Sequence, residues 1–205
     1  MLRIIRLSLI TLMLSIFYVA NACADALLIL GDSLSAGYGI PSGKGWITLL
    51  EQQLVRDYPA YTVVNASVSG ETTQGALSRL SDLLEKYHPT IVLVELGGND
   101  GLRGFPINIV QQNLTHIVHA SKNIGAKVLL FEMHIPTNYG TRYTHAFLNM
   151  YTDVAKNEAV PLLPFFMQGI ATDPDLMQED SIHPNTQAQP LLFKAVWPTL
   201  LTLLK

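Results

Sequence analysis

Residues 90–96 read Thr-Ile-Val-Leu-Val-Glu-Leu, an apolar run with no alternation of apolar and polar positions. Such a segment has no face to offer water. It suits a central strand covered on both sides, the situation of a parallel sheet flanked by helices. Residues 26–30, Ala-Leu-Leu-Ile-Leu, make the same demand, and shorter runs at 61–65, 127–132 and 160–163 add three more strands. Between them the spacing turns helical. Trp46, Leu49, Leu50 and Leu54 share a stripe within 46–56, and Leu77, Leu80, Leu83 and Leu84 share one within 73–87. Helices are also expected over 106–123, where Pro106 can open the first turn and Gly125 lies just past the end, over 143–157, and over 187–204. Pro190 and Pro198 are expected to kink or interrupt the last of these. Strands alternating with helices predict a parallel sheet with helices on both faces, and right-handed crossovers make that a three-layer α/β/α sandwich.

The chain has 205 residues, enough for one domain with a substantial core. No repeat, low-complexity segment or Pro/Gly-rich linker divides it after residue 26, so 25–205 is expected to be a single domain. Ahead of it stand a basic start with Arg3 and Arg6, the uncharged stretch 7–20, and small-residue cleavage sites around Ala22 and Ala24. That order describes a secretory signal peptide over 1–24, uncertain by about two residues at its end. The apolar stretch is short of the roughly 20 residues that span a bilayer. The mature protein is therefore expected in the periplasm or the medium, without a stable membrane span. Cys23 is the only cysteine and falls in the cleavage region, so no intrachain disulfide is possible. The sequence at 20–22 lacks the Leu usual three residues before a lipidated cysteine. Cleavage removes Arg3 and Arg6 and no acid, leaving 11 basic against 16 acidic residues and no basic patch. Nucleic acid is disfavoured as a partner.

Chemistry gathers at strand ends. Gly31-Asp32-Ser33-Leu34-Ser35 follows the first strand directly, on the carboxyl edge where open α/β sheets bind ligands. Asp180-Ser181-Ile182-His183 supplies an acid and an imidazole three residues apart, after the fifth strand. A hydroxyl, an imidazole that takes its proton and a carboxylate that orients the imidazole make an activated serine nucleophile. Ser33, His183 and Asp180 are the candidates. Acyl transfer also needs donors for the developing oxyanion. Gly70, after the second strand, can offer a bare backbone N–H, and Asn99, after the third, a side-chain amide. All these segments are expected on loops at one sheet edge.

Taken in order, Gly-Asp-Ser-Leu-Ser, the Gly70 block, Gly97-Gly98-Asn99-Asp100 and Asp180-x-x-His183-Pro184 resemble the SGNH (GDSL) hydrolases over all of the mature chain. Residues 27–38, 94–104, 138–140 and 161–167 look like the periplasmic thioesterase I/lysophospholipase group, often labelled arylesterase. The resemblance implies a flavodoxin-like sandwich with strand order 2-1-3-4-5. It implies Ser33, Asp180 and His183 as triad, and the Ser33 N–H, the Gly70 N–H and the Asn99 side chain as oxyanion hole. It implies no metal and no cofactor. The substrate would be a small acyl ester, thioester or lysophospholipid, and the protein a monomer. The loop 101–105 matches a segment that moves on acyl binding in that group. Leu102 and Phe105, with Tyr139, are candidates to contact an acyl chain.

Other residues have plainer roles. Asp32 is expected to shape the loop beside Ser33. Glu95 sits in an otherwise apolar strand and must find a partner if buried. His116 and His119 read as a solvated helix face; His134, after the fourth strand, is a candidate to line the cleft, with a structural role as the favoured reading. No Gly-x-Ser-x-Gly, Gly-x-Gly-x-x-Gly or Walker-type loop occurs, so an α/β-hydrolase elbow and nucleotide binding lack support. Two rival functions remain: a carbohydrate deacetylase, disfavoured by only two Trp, and a flavodoxin-like binding module, which leaves Asp180 and His183 unexplained.

Overall fold

In the computed structural model, residues 25–204 are described; the expected signal peptide and Cys23 lie outside them. Strands β1 (Asp25–Gly31), β2 (Tyr61–Asn65), β3 (Ile91–Glu95), β4 (Lys127–Phe131) and β5 (Leu162–Leu163) form one parallel sheet in the order β2-β1-β3-β4-β5. Among the described residues seven α-helices surround it: α1 (Ser33–Ala36), α2 (Trp46–Asp57), α3 (Thr73–Tyr87), α4 (Gly98–Leu102), α5 (Ile107–Asn123), α6 (Thr141–Glu158) and α7 (Gln189–Leu201). The chain steps from β1 to one edge through α2, then returns past β1 and moves to the other edge through α3, α5 and α6. Right-handed crossovers put the helices of those two directions on opposite faces. The packing agrees: α2 pairs with α7, while α5 packs against both α3 and α6.

The doubly covered strands explain the uniform apolar runs. Leu27, Leu28, Ile29 and Leu30 of β1 and Ile91 to Val94 of β3 are all but inaccessible to solvent. Trp46, also buried, binds the layers together at the start of α2. Its ring nitrogen donates to the Leu34 carbonyl at 3.2 Å, and its backbone N–H to Gln189 Oε1 at 3.0 Å. Truncating so large a buried ring costs about 3–5 kcal/mol, and here it would also loosen α1.

Two elements differ from expectation. Ser33 and Asn99 lie not on open loops but in α1 and α4, short helices that begin as β1 and β3 end. Elements of four and five residues are too short to show a period. Gly97, at φ +103°, makes the turn into α4, and a Cβ there would come within 2.2 Å of the Tyr151 hydroxyl. The last helix accommodates both prolines: Pro190 occupies its first turn, and the helix runs on past Pro198.

The strand order reverses between β1 and β3. Open α/β sheets part their loops at such a switch point and bind ligands there. Ser33 and Asn99 follow those two strands.

Candidate active site

Ser33, the first residue of α1, is held by its predecessor. Asp32 Oδ1 accepts the Leu34 N–H at 3.0 Å and caps the helix. The segment after β5 brings His183 to it: His183 Nε2 lies 2.9 Å from Ser33 Oγ, and Nδ1 lies 2.6 Å from Asp180 Oδ2. Asp180 also folds its own turn, because Oδ1 accepts the Ile182 and His183 N–H groups at 2.9 and 3.0 Å. Some burial raises the Asp180 pKa, but those two amides and the His183 ring outweigh it and hold the carboxyl at about 2. At neutral pH it is an anion beside the imidazole.

The His183 segment is docked rather than packed. Gln178 Nε2 donates to the carbonyls of Tyr38 and Pro184, at 2.8 and 3.0 Å, and the Gln178 N–H donates to the His183 carbonyl at 2.8 Å. The Tyr38 ring lies 4.5 Å from the His183 ring, tilted by 41°. Nothing local in the sequence marked Tyr38 or Gln178, which approach His183 from different parts of the chain.

Asn99 projects from the first turn of α4, and its amide nitrogen donates to Asp32 Oδ2 at 3.1 Å. Its neighbour Asp100 is fully buried. It accepts Thr73 N–H at 2.9 Å and Thr73 Oγ at 2.6 Å, while Asn113 donates to the same hydroxyl at 3.1 Å. Burial raises the Asp100 pKa against these Thr73 donors. This network ties α4 to the start of α3, three residues beyond Gly70. Arg103 adds a second tie, donating to the Gly70 carbonyl at 3.1 Å. The sequence showed Asp100 only as part of a motif; its partners are 27 residues away in Thr73 and, through Thr73, in Asn113.

A cleft of about 480 Å³ opens from Asp32, Ser33, Asn99 and His183 toward the ends of β4 and β5. Its walls include Leu102, Met133, Ile135, Phe165, Met167 and Ile182. Of the three residues expected near an acyl chain, only Leu102 is among the cleft-lining residues. Phe105 packs against the core. Tyr139 stands behind the loop, its hydroxyl donating to the Leu102 carbonyl at 2.7 Å, and Tyr143 does the same for Phe105 at 2.8 Å. Gly70 lies beside α4 rather than in the cleft wall. His134 does line the cleft, stacked at 4.2 Å on Phe165 and bonded to Glu132.

Comparison with known proteins agrees in fold and extent. The GDSL-like lipase/acylhydrolase family model matches residues 29–190. The chain is 47% identical to esterase TesA of Pseudomonas aeruginosa over 184 residues, covering 90% of this chain and 92% of that one. It is 49% identical to thioesterase 1/protease 1/lysophospholipase L1 of Escherichia coli K12 over 171 residues, covering 83% and 81%. Among solved structures, the psychrotrophic esterase EstA from Pseudoalteromonas sp., inhibited by monoethylphosphonate, superposes with a TM-score of 0.84. The identity is 46%, covering 87% of this chain and 97% of that one.

Proposed function

The chain belongs to the GDSL-like lipase/acylhydrolase family, and from that membership we propose that it is a serine esterase working through an acyl-enzyme on Ser33. The observation that carries the reading is the line Ser33 Oγ, His183, Asp180, joined at 2.9 and 2.6 Å at the mouth of an apolar cleft. His183 Nε2 takes the Ser33 proton as Oγ attacks the acyl carbonyl carbon. Asp180 fixes the tautomer that leaves Nε2 free to accept, and stabilises the imidazolium that forms. The proposed oxyanion donors are the Ser33 N–H and the Asn99 amide at the cleft, with the Gly70 N–H on the loop that Arg103 ties to α4. His183 then gives its proton to the leaving oxygen or sulfur. Water repeats the sequence on the acyl-enzyme and frees the acid.

The cleft walls support an acyl substrate over an acetylated sugar, since the side chains beyond Ser33 are mainly hydrocarbon and thioether. Each CH₂ buried there is worth about 0.8 kcal/mol, roughly fourfold in binding. Esters, thioesters and lysophospholipids of medium or long chains all fit this requirement. The N-terminal segment supports export, and the enzyme acts as a monomer.

The test is turnover of p-nitrophenyl esters of rising chain length, beside acyl-CoA and lysophosphatidylcholine. Wild-type kcat/KM should rise from acetyl toward longer chains, and Leu102→Ala should flatten the rise. Ser33→Ala should lose turnover by on the order of 10⁶ with an unchanged melting temperature. Persistent turnover in Ser33→Ala would sink the mechanism, and a kcat/KM that peaks at acetyl would sink the acyl-chain reading.

A further inference from the structure

Among the described residues Glu95 is the one buried acid within a strand, and the mechanism above does not use it. It ends β3, opposite Gly31 in the register with β1, and is completely buried. Its Oε2 accepts Ser35 Oγ at 2.7 Å and the Asp32 N–H at 3.2 Å. Its Oε1 has no hydrogen-bond partner. Asp32, a second carboxyl, is also buried: its oxygens accept the Leu34 N–H and the Asn99 amide, and its side chain lies within hydrogen-bonding reach of the Glu95 carboxyl. The groups facing the two acids are the Ser35 hydroxyl, the Asn99 amide, the Tyr151 phenol and, on the cleft side of Asp32, His183. Among the described residues neither acid is in an ion pair with Lys or Arg.

Two adjacent carboxyls without a cation cannot both be ionised in the core, because burial and mutual repulsion oppose the second charge. The hydrogen bonds say which one keeps the proton. Asp32 receives donors on both oxygens, as an anion requires. Glu95 receives both of its donors on one oxygen, which then behaves as the carbonyl of an acid, and the bare Oε1 is the place for the hydroxyl. Burial first, and then the charge on Asp32, raise the Glu95 pKa well above the usual carboxylate range, consistent with that assignment.

We infer that Glu95 is a positioning residue: as a neutral acid it holds the Asp32–Ser35 turn from beneath, so that Asp32 can aim the Asn99 amide at the oxyanion. Gly31 fits the same arrangement, since a Cβ there would meet Glu95 Oε2 at 2.7 Å and the Ser35 side chain at 2.8 Å. The inference rests on the proposed role of Asn99 and adds the support under it.

Steady-state kinetics with a medium-chain p-nitrophenyl ester test it, together with infrared spectroscopy of the same proteins. Glu95→Leu removes both acceptor contacts. It should lower kcat by about 10- to 100-fold, the scale of a misplaced catalytic group, with KM little changed. Glu95→Gln, neutral at every pH and able to accept both bonds through its carbonyl oxygen, should recover most of that loss. Wild-type protein at neutral pH should show the carbonyl stretch of a protonated carboxylic acid, and Glu95→Gln should lack it. A Glu95→Gln protein as impaired as Glu95→Leu overturns the inference, as does a wild-type spectrum with no such band that the substitution removes. If Glu95→Leu does not fold, Ser35→Ala takes its place as the kinetic arm and should lower kcat in the same way; unchanged kcat there counts against the inference. A wild type that turns over no ester would defeat the proposed function, while the infrared arm would still decide the protonation of Glu95.

Discussion

Asp32 and Asp180 both bear on the Ser33 turn, and they are built into different kinds of structure. Asp32 sits 3% exposed at the end of a core strand. Burial raises its pKa to about 6, against the Leu34 amide and the His183 ring. Asp180 stands in a surface turn with its side chain 38% exposed, and its pKa is held at about 2. The same side chain is thus a strained anion in one place and a comfortable one in the other. The difference lies in solvent and in where the donors come from. Asp180 draws its amides from its own turn and keeps its hydration. Asp32 gives up water and takes an amide from α4, so its ionisation depends on the fit of distant elements. The proposed site combines a buried half, which carries the candidate nucleophile Ser33 and Asn99, with a candidate acid–base pair, Asp180 and His183, mounted on a surface turn.

The sharpest way to break this comparison is Asp180→Asn. The substitution keeps an Oδ1 acceptor for the Ile182 and His183 amides, so the turn should survive, but it offers Nδ1 of His183 an amide instead of an anion. In a serine–histidine–aspartate arrangement that change costs about 10⁴ in kcat. Measured kcat within tenfold of wild type would mean that the turn and Tyr38, rather than the carboxylate, orient His183. Next in size is Asn99→Ala, which removes the donor that Asp32 aims. It should reduce kcat by about 10²–10³, roughly 3–4 kcal/mol, and leave KM nearly unchanged. A near-native kcat would remove Asn99 from the oxyanion site and leave the buried half only the nucleophile.

The smallest effect is on stability and separates the two acids by pH. Asp32 holds its proton more tightly folded than unfolded, so its contribution is fully present below about pH 4 and is lost as the pH rises through about 6. At 1.36 kcal/mol per pH unit, that loss is at most ~3 kcal/mol. Asp180 has the opposite sign: its contribution is present above about pH 4 and is lost as the pH falls through about 2. Urea unfolding across pH 4–6 should show wild-type stability falling relative to Asp32→Asn. Parallel profiles in that window would contradict the raised pKa of Asp32.

Much of the fold was legible because its signals are local. Uniform apolar runs identify strands buried on both faces, and a 3.6-residue period identifies α2 and α3, with no knowledge of what they touch. The motifs that carry Ser33, Asn99, Asp180 and His183 are likewise short and contiguous, and each follows a strand end. The short helices α1 and α4 escaped because one turn has no period. Phe105 was expected near a substrate from its apolarity and its place in the glycine-flanked 101–105 loop; its side chain packs against the core.

What the sequence by itself determined is the alternation of strand and helix, the sheet edge to which each motif is delivered, and the family those motifs resemble. It also made Glu95 conspicuous as an acid in an apolar strand. Only the tertiary structure decided its partners: β1–β3 register sets Glu95 beside Gly31 and beneath Ser35, across 60 residues of chain. The same holds for Asp100 with Thr73, Tyr38 with His183 and Arg103 with Gly70. Each is a contact between segments that crossovers and sheet register bring together, and a side-chain hydrogen bond closed over such a distance leaves no periodic trace in either segment.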